Sequence, residues 1–339
     1  MASQTEGIIL STVVTLNGKS NRLTLSGSHL CWSPTFPERA QYHQHYVKVT
    51  EIITVKAEYE FHPGGHYEKY SKYSKINTIE LLPKKSNVFS VYMIKRNGRH
   101  KWKDRKVSFH CRDSSCANDW IENINRTINK QDVSRPQRLL VFINPVGGKG
   151  KGCKIYREKV APLFELAGIV TEVIVTERSN HAKDILQEKE LHKIDGVISV
   201  SGDGMASEVV NGLLLRAQKD AGINFNDKKS KLVSLSHRVG IIPAGSTDTI
   251  VHSTVGTSDP VTSTLHIILV GLFSKSDKVS SLPNTTVRVS GHGVQHRGRL
   301  GTSIRSTLPG ASNLAEHLVS VPSVFLQELM RIIGMMTLV

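Results

Sequence analysis

The sequence predicts an α/β protein in two parts: a β-rich N-terminal domain closed by one helix, then a parallel-sheet α/β domain. Three observations carry this. Residues 7–16 and 21–31 alternate apolar and polar side chains on either side of Asn17-Gly18, a strong hairpin signal. Residues 116–128 place Trp120, Ile121, Ile124 and Ile128 on one helical face. From Arg138 onward, apolar strands, glycine-rich or polar turns and helices alternate, as they do when helices cross between parallel strands.

Within the first domain, residues 1–130, further strands are expected at 47–55, 77–82, 88–95 and 106–111. Residues 131–137, with Ser134, Arg135 and Pro136, read as a linker. In the second domain, residues 138–270, strands are expected at 139–143, 171–175, 196–201 and 239–242, and helices at 155–167, 182–189 and 205–217. From 271 to 339 the rhythm is lost. That stretch is rich in Ser, Thr, Arg and Gly, only 320–339 is apolar enough for a helix, and the expectation is a poorly ordered tail.

A chain of 339 residues has room for two domains with real cores. Its 44 Lys+Arg against 29 Asp+Glu give a formal net charge of +15, which points to an anionic partner: nucleic acid, a phospholipid face or nucleotide phosphates. Nucleic acid is disfavoured because no aromatic-interleaved binding motif accompanies the charge. Cys31, Cys111, Cys116 and Cys153 form no CxxC pair and no zinc spacing, so free thiols in a reducing compartment are expected. The first residues look like neither a signal peptide nor a myristoylation site, and apolar stretches such as 265–273 fall short of the roughly 20 residues that span a bilayer. The expectation is a soluble or peripheral protein.

Four polar signatures follow four successive expected strands: residues 144–152, 176–182, 201–205 and 243–248. A parallel sheet would bring all four to its carboxyl edge, where open α/β folds bind ligands. In the first, Gly147, Gly148, Gly150 and Gly152 lack a Cβ, so backbone amides can approach phosphate oxygens, and Lys149 and Lys151 add charge. The loop is neither a Walker A sequence nor GxGxxG. Asp203, between Gly202 and Gly204 and followed by Glu208, suits a magnesium ligand, a proton acceptor or a helix cap. Gly245, Ser246 and Thr247 offer amides and hydroxyls to phosphates or ribose, or simply form a strand-to-helix turn. On residues alone, 176–180 is an ordinary polar loop and His181 is structural.

In order and spacing, 144–152, 201–205 and 243–248 resemble the catalytic domain shared by diacylglycerol, sphingosine and ceramide kinases. The flank 155–164 and the Ser-Thr-Asp ending at Asp248 are similar to the ceramide kinase branch, and the N-terminal zone resembles a pleckstrin homology domain. This resemblance implies ATP and Mg2+ as cofactors and phosphorylation of the primary hydroxyl of ceramide, with sphingosine or diacylglycerol as other possible acceptors. It implies ATP contacts from Asn144, Pro145, Val146, Gly147, Gly148, Lys149, Gly150, Thr176, Glu177, Arg178, Ser179, Asn180, Glu208, Gly245, Ser246 and Thr247. It places Ser201, Gly202, Asp203 and Gly204 at the lipid headgroup, with Asp203 as general base. Ser201 stands where many ceramide kinases have Gly, and the family's second, β-rich lobe finds no match after residue 270. A chain without that lobe is alternatively an inert module that binds ATP and phosphoinositide membranes.

The basic run that includes Lys95, Arg96, Arg99, Lys101, Lys103, Arg105 and Lys106 spans an expected strand–loop–strand. The resemblance makes it a phosphoinositide-membrane contact, each cation contributing about 1 kcal/mol, whereas the residues alone also suit a solvated hairpin. It further implies a cytoplasmic protein peripheral on Golgi and plasma membranes.

Overall fold

The computed structural model describes residues 7–35, 44–60, 84–131, 135–224, 233, 237–269, 286–290, 293–297 and 303–305. The chain divides into two compact units. One comprises Met1–Lys95 and Asp104–Val133; the other comprises Arg96–Lys103 and Ser134–Val339.

The first unit is built on β1 (Ile8–Leu16), β2 (Lys19–Ser26), β3 (His29–Pro34), β4 (His45–Lys48), β5 (Ile52–Glu60), β6 (Lys84–Arg96) and β7 (Trp102–His110), except that the last residue of β6 and the first two of β7 fall in the second unit. They form one sheet in the order β4-β3-β2-β1-β7-β6-β5, with antiparallel pairing. Asn17 and Gly18 both have positive φ, 50° and 73°, the geometry of the two-residue turn their sequence signals. The single strand expected at 21–31 is instead two strands. A turn intervenes, fixed by the hydrogen bond from the His29 amide to Ser26 Oγ at 3.1 Å. A 3₁₀ turn at Val49–Glu51 likewise divides the stretch 47–55 between β4 and β5. The strand expected at 77–82 lies outside the described residues.

Helix α1 (Ser114–Asn129) closes this unit, and Asp113 caps it by accepting from the Cys116 amide at 2.8 Å. Its buried face is Ala117, Trp120, Ile124 and Thr127. The Trp120 indole lies parallel to Phe89 with centroids 6.1 Å apart, and its N–H donates to Thr12 Oγ1 at 2.9 Å. The largest buried ring therefore carries no unsatisfied donor.

The second unit is organised around four parallel strands: β8 (Arg138–Ile143), β9 (Val170–Val175), β10 (Gly196–Ser201) and β11 (Arg238–Pro243). Their order is β11-β10-β8-β9, so the chain reverses direction across the sheet between β8 and β10. Such a switch point opens a crevice at the carboxyl ends of the strands. Strands β8 and β10 are buried almost throughout, as expected of a sheet covered on both faces, whereas edge strand β9 exposes Val170, Val173 and Val175.

The connecting helices include α4 (His181–Glu188) and α5 (Asp203–Asp220), close to expectation. The helix expected at 155–167 is α2 (Gly152–Ile155), a π-helical turn at Tyr156–Val160, and α3 (Ala161–Leu166). Pro162 explains the interruption: it has no N–H to donate and its ring would collide with the carbonyl four residues back. Two unexpected helices, α6 (Thr249–Val255) and α7 (Pro260–Leu269), follow β11. Asp259 caps α7 through the Thr262 amide at 2.9 Å, with Pro260 in the first turn.

In the region from 271 on, β12 (Thr286–Ser290), β13 (Gly293–Arg297) and β14 (Ser303–Arg305) pair as a three-stranded antiparallel sheet.

Candidate functional site

The strand ladders extend one step into the turns that follow them. The Asn144 amide donates to Val200 O at 3.3 Å, Thr176 N to Ile143 O at 2.9 Å, and Ala244 N to Ser201 O at 3.1 Å. The turns after β8, β9, β10 and β11 thus begin level with one another on one edge of the sheet. Three of them touch through glycine. A Cβ on Gly148 would lie 2.8 Å from Ala244 O and from Gly245 Cα, and one on Gly245 would lie 2.4 Å from Gly202 Cα. Backbones meet here at distances only glycine allows. Gly148 also has φ of 60°.

The glycine loop is shaped from within by Asn144, whose Oδ1 accepts from the amides of Val146 at 3.0 Å and Gly147 at 2.8 Å. Gly150 N closes onto Gly147 O at 3.0 Å. The amides of Gly148 and Lys149 have no protein acceptor among the described residues, and Lys149 and Lys151 are exposed beside them. Two amides without an acceptor, flanked by two ammonium groups, have the chemistry an anion-binding turn needs. Asn144 therefore acts as the loop's internal brace, Pro145 is half-buried, and Val146 is 83% exposed.

Asp203 caps a helix, but not its own. Its two carboxylate oxygens accept from Thr249 N and Ile250 N at 3.0 Å each, so it anchors the start of α6 from 46 residues away. The N-cap of α5 is Gly202. Each carboxylate oxygen has a second lone pair, so the group can still accept from another donor. Glu208 plays a similar part at α4, where Oε1 accepts from Ala182 N at 2.9 Å. Asp248 is the residue local reasoning left out. It is buried, in the left-handed region at φ 51°, and its oxygens accept from Gly245 N at 2.9 Å and Ser258 Oγ at 2.7 Å. The signal was present in Ser-Thr-Asp directly before an apolar run.

Other expected residues separate into inward and outward groups. Thr176 is buried, with its hydroxyl on Ile143 O at 3.3 Å. The Ser201 hydroxyl is buried too, bonded to Ser199 Oγ at 2.6 Å and Gly202 O at 2.9 Å. Glu177, Arg178, Ser179 and Asn180 are exposed. Arg178 pairs with Asp184 at 2.8 Å, and His181 Nδ1 accepts from Glu177 N at 3.1 Å, a structural role. Gly204, Ser246 and Thr247 are also exposed. Among the described residues no cluster of three or more His, Cys, Asp or Glu is arranged to hold a metal.

The basic run is not uniform. Lys95, Arg99, Lys101, Lys103 and Arg105 are exposed. Lys106 pairs with Glu58 at 2.5 Å, and this ion pair with the Ser90 hydroxyl holds the Glu58 carboxyl below its usual range. In the second unit, the Arg96 guanidinium lies 5.5 Å from the Trp102 ring centre, and Trp102 stacks on His266 with centroids 3.8 Å apart. The Trp102 amide donates to Thr262 Oγ1 at 3.0 Å. Burial, and then the charge of Arg96, push the His266 pKa down to about 4.

A glycine- and lysine-bearing turn at the switch point of a parallel sheet, in a chain with a separate antiparallel β unit capped by one helix, fits a phosphate-handling enzyme class. Residues 138–280 match the Diacylglycerol kinase catalytic domain, and residues 10–124 match the Ceramide kinase PH domain. The chain belongs to the lipid kinase family that includes the diacylglycerol and ceramide kinases.

It is 47% identical over 223 residues to the Ceramide kinase of Homo sapiens, covering 66% of this chain and 40% of that protein. To Ceramide kinase 1 of Caenorhabditis elegans it is 32% identical over 240 residues, covering 68% and 43% respectively. The chain thus spans less than half the length of these relatives. A diacylglycerol kinase structure from Bacillus anthracis aligns with 40% of each chain at 20% identity and a TM-score of 0.31. No helix among the described residues is long and apolar enough to cross a membrane.

Proposed function

We propose that the second unit binds ATP at the carboxyl edge of its sheet and transfers the γ-phosphoryl group to the primary hydroxyl of ceramide. The observation that carries this reading is the meeting of Gly148, Gly202 and Gly245, which brings three turns into backbone contact beside two uncommitted amides. Phosphoryl transfer asks a protein chiefly for positioning and charge neutralisation, and such a rim supplies both. Gly148 and Lys149 amides with the Lys149 and Lys151 ammonium groups would hold phosphate oxygens. The acceptor oxygen would attack the γ-phosphorus, the bond to the β–γ bridging oxygen would break, and the hydroxyl proton would pass to Asp203. Magnesium would be held chiefly by the phosphates and would supply charge neutralisation, which leaves Asp203 to the proton. The basic run from Lys95 to Lys106 would bring the enzyme to phosphoinositide-bearing cytoplasmic faces of Golgi and plasma membranes.

A second reading is a module that binds nucleotide and membrane without turnover. The engagement of both Asp203 oxygens by α6 favours it, because that carboxylate already has a structural task.

The test is transfer of labelled phosphate from ATP to ceramide, sphingosine and diacylglycerol, with nucleotide binding followed in parallel. Under the first reading Asp203→Asn lowers ceramide phosphorylation by at least about a hundredfold, the contribution of a general base. ATP binding survives, weakened by no more than about tenfold because Asn can accept from only one of the two α6 amides. Near-normal turnover in that variant removes Asp203 as base. Binding without transfer in the unmodified chain selects the second reading.

A further inference from the structure

We propose that Asp248 is a positioning residue, which holds the turn of Gly245, Ser246 and Thr247 in its phosphate-facing shape from behind. This rests on the nucleotide reading above. Asp248 is 6% exposed, so it is not itself placed to meet a ligand. Its Oδ1 accepts from Gly245 N at 2.9 Å, which closes the turn onto its own last residue. Its Oδ2 accepts from Ser258 Oγ at 2.7 Å, which ties the turn to the segment between α6 and α7.

Backbone geometry says the same. At φ 51° and ψ 44° Asp248 occupies a region unfavourable to residues with a Cβ, and such residues persist where surrounding bonds hold them. The far side of the turn is fixed separately, since Asp203 takes the first two amides of α6. Gly245 is thereby confined. Its missing Cβ would lie 2.8 Å from Asp248 Oδ1 on one side and 2.4 Å from Gly202 Cα on the other. With the carboxylates facing inward, the exposed Ser246 and Thr247 are left as the turn's outward groups.

Three substitutions separate this role from general stability, using the full chain, its melting temperature, and titrations with ATP and with adenosine. Asp248→Asn tolerates the left-handed conformation, can accept from Gly245 N and can donate to Ser258 Oγ. Asp248→Gly relieves the backbone but removes both bonds, and Ser258→Ala removes one. Asp248→Asn should bind ATP within about threefold of the unmodified chain, Ser258→Ala about threefold more weakly, and Asp248→Gly at least about tenfold more weakly, the scale of one or two lost hydrogen bonds. Adenosine affinity should change less than about twofold, because the turn is assigned to the phosphates.

ATP binding by Asp248→Gly equal to that of the unmodified chain overturns the proposal while leaving the nucleotide reading intact. So does an equal loss of ATP and adenosine with a lowered melting temperature, which marks a purely structural residue. Failure of the unmodified chain to bind ATP removes the nucleotide reading and this proposal with it.

Discussion

Gly245→Ala is the most direct perturbation of the site. The added methyl would sit 2.4 Å from Gly202 Cα, 2.8 Å from Asp248 Oδ1 and 3.0 Å from Gly202 N, whereas ordinary van der Waals contact begins at 3.4 Å. The two turns must therefore part by about 1.0 Å, the difference between 3.4 and 2.4 Å, and the nearest obstacle is backbone that cannot swing aside. Overpacking of this kind costs about 1–3 kcal/mol of stability. An anion gripped between the turns fares worse. A hydrogen bond of about 2.9 Å lengthened by that amount passes the limit of effective contact. One lost hydrogen bond to a charged group is worth about 1.5–3 kcal/mol, or roughly 10- to 100-fold in affinity. Titration with a fluorescent ATP analogue, alongside calorimetric melting, measures both effects. Gly204→Ala is the steric control for stability: no atom lies within 4 Å of its Cβ position, so its melting temperature should not fall. If Gly245→Ala binds the analogue within about twofold of the unmodified chain and melts at the same temperature, the close contact of the turns is not what shapes the site.

Acid should weaken the second unit through His266. Its folded pKa of about 4 lies below the ordinary 6.5, so between these values the unfolded chain binds more protons. The contribution is complete above pH 6.5 and is lost as pH falls through 4, with roughly 2 kcal/mol gone by pH 5. His266→Phe keeps a ring against Trp102 and should flatten that dependence in denaturant titrations at pH 7 and pH 5; an unchanged slope refutes the assignment. At membranes, replacing exposed Arg99, Lys101 and Lys103 together by Ala should cost about 3 kcal/mol of binding to anionic vesicles at low salt, near two orders of magnitude in partitioning. Unchanged sedimentation with phosphoinositide vesicles removes the basic run from that role.

The parts of the fold and of the site that were legible in the sequence are those set by neighbours in the chain. Asn17-Gly18 forms its turn because the two residue types accept positive φ locally, and the four strand-end turns are marked by polar and glycine residues after apolar runs. What the sequence hid depends on tertiary contact. Asp203 looks like the cap of the helix it begins, and nothing nearby reveals that its acceptors serve α6. Asn144, Thr176 and Ser201 carry polar groups that could face a ligand, yet each is engaged within the protein, a choice made by packing rather than composition. The short helix α6 went unseen for the same reason, since its start is held from a distant strand end. The division of residues 21–31 was missed because a serine hydroxyl can make a turn without proline or any left-handed residue.

Strand β10 faces a problem of alignment. All six of its residues are buried, and it is flanked by β8 and β11, so neither face is marked by contact with water. Apolar alternation, which locks register in one-sided sheets, gives little guidance here. Ser199 and Ser201 stand two apart on one face and bond to each other. A slide by one residue would turn that hydroxyl pair toward the opposite helical layer, among aliphatic partners. The pair therefore works as a key that admits one threading of the central strand, and Ser199→Val should relax that selection during folding more than it disturbs the finished structure.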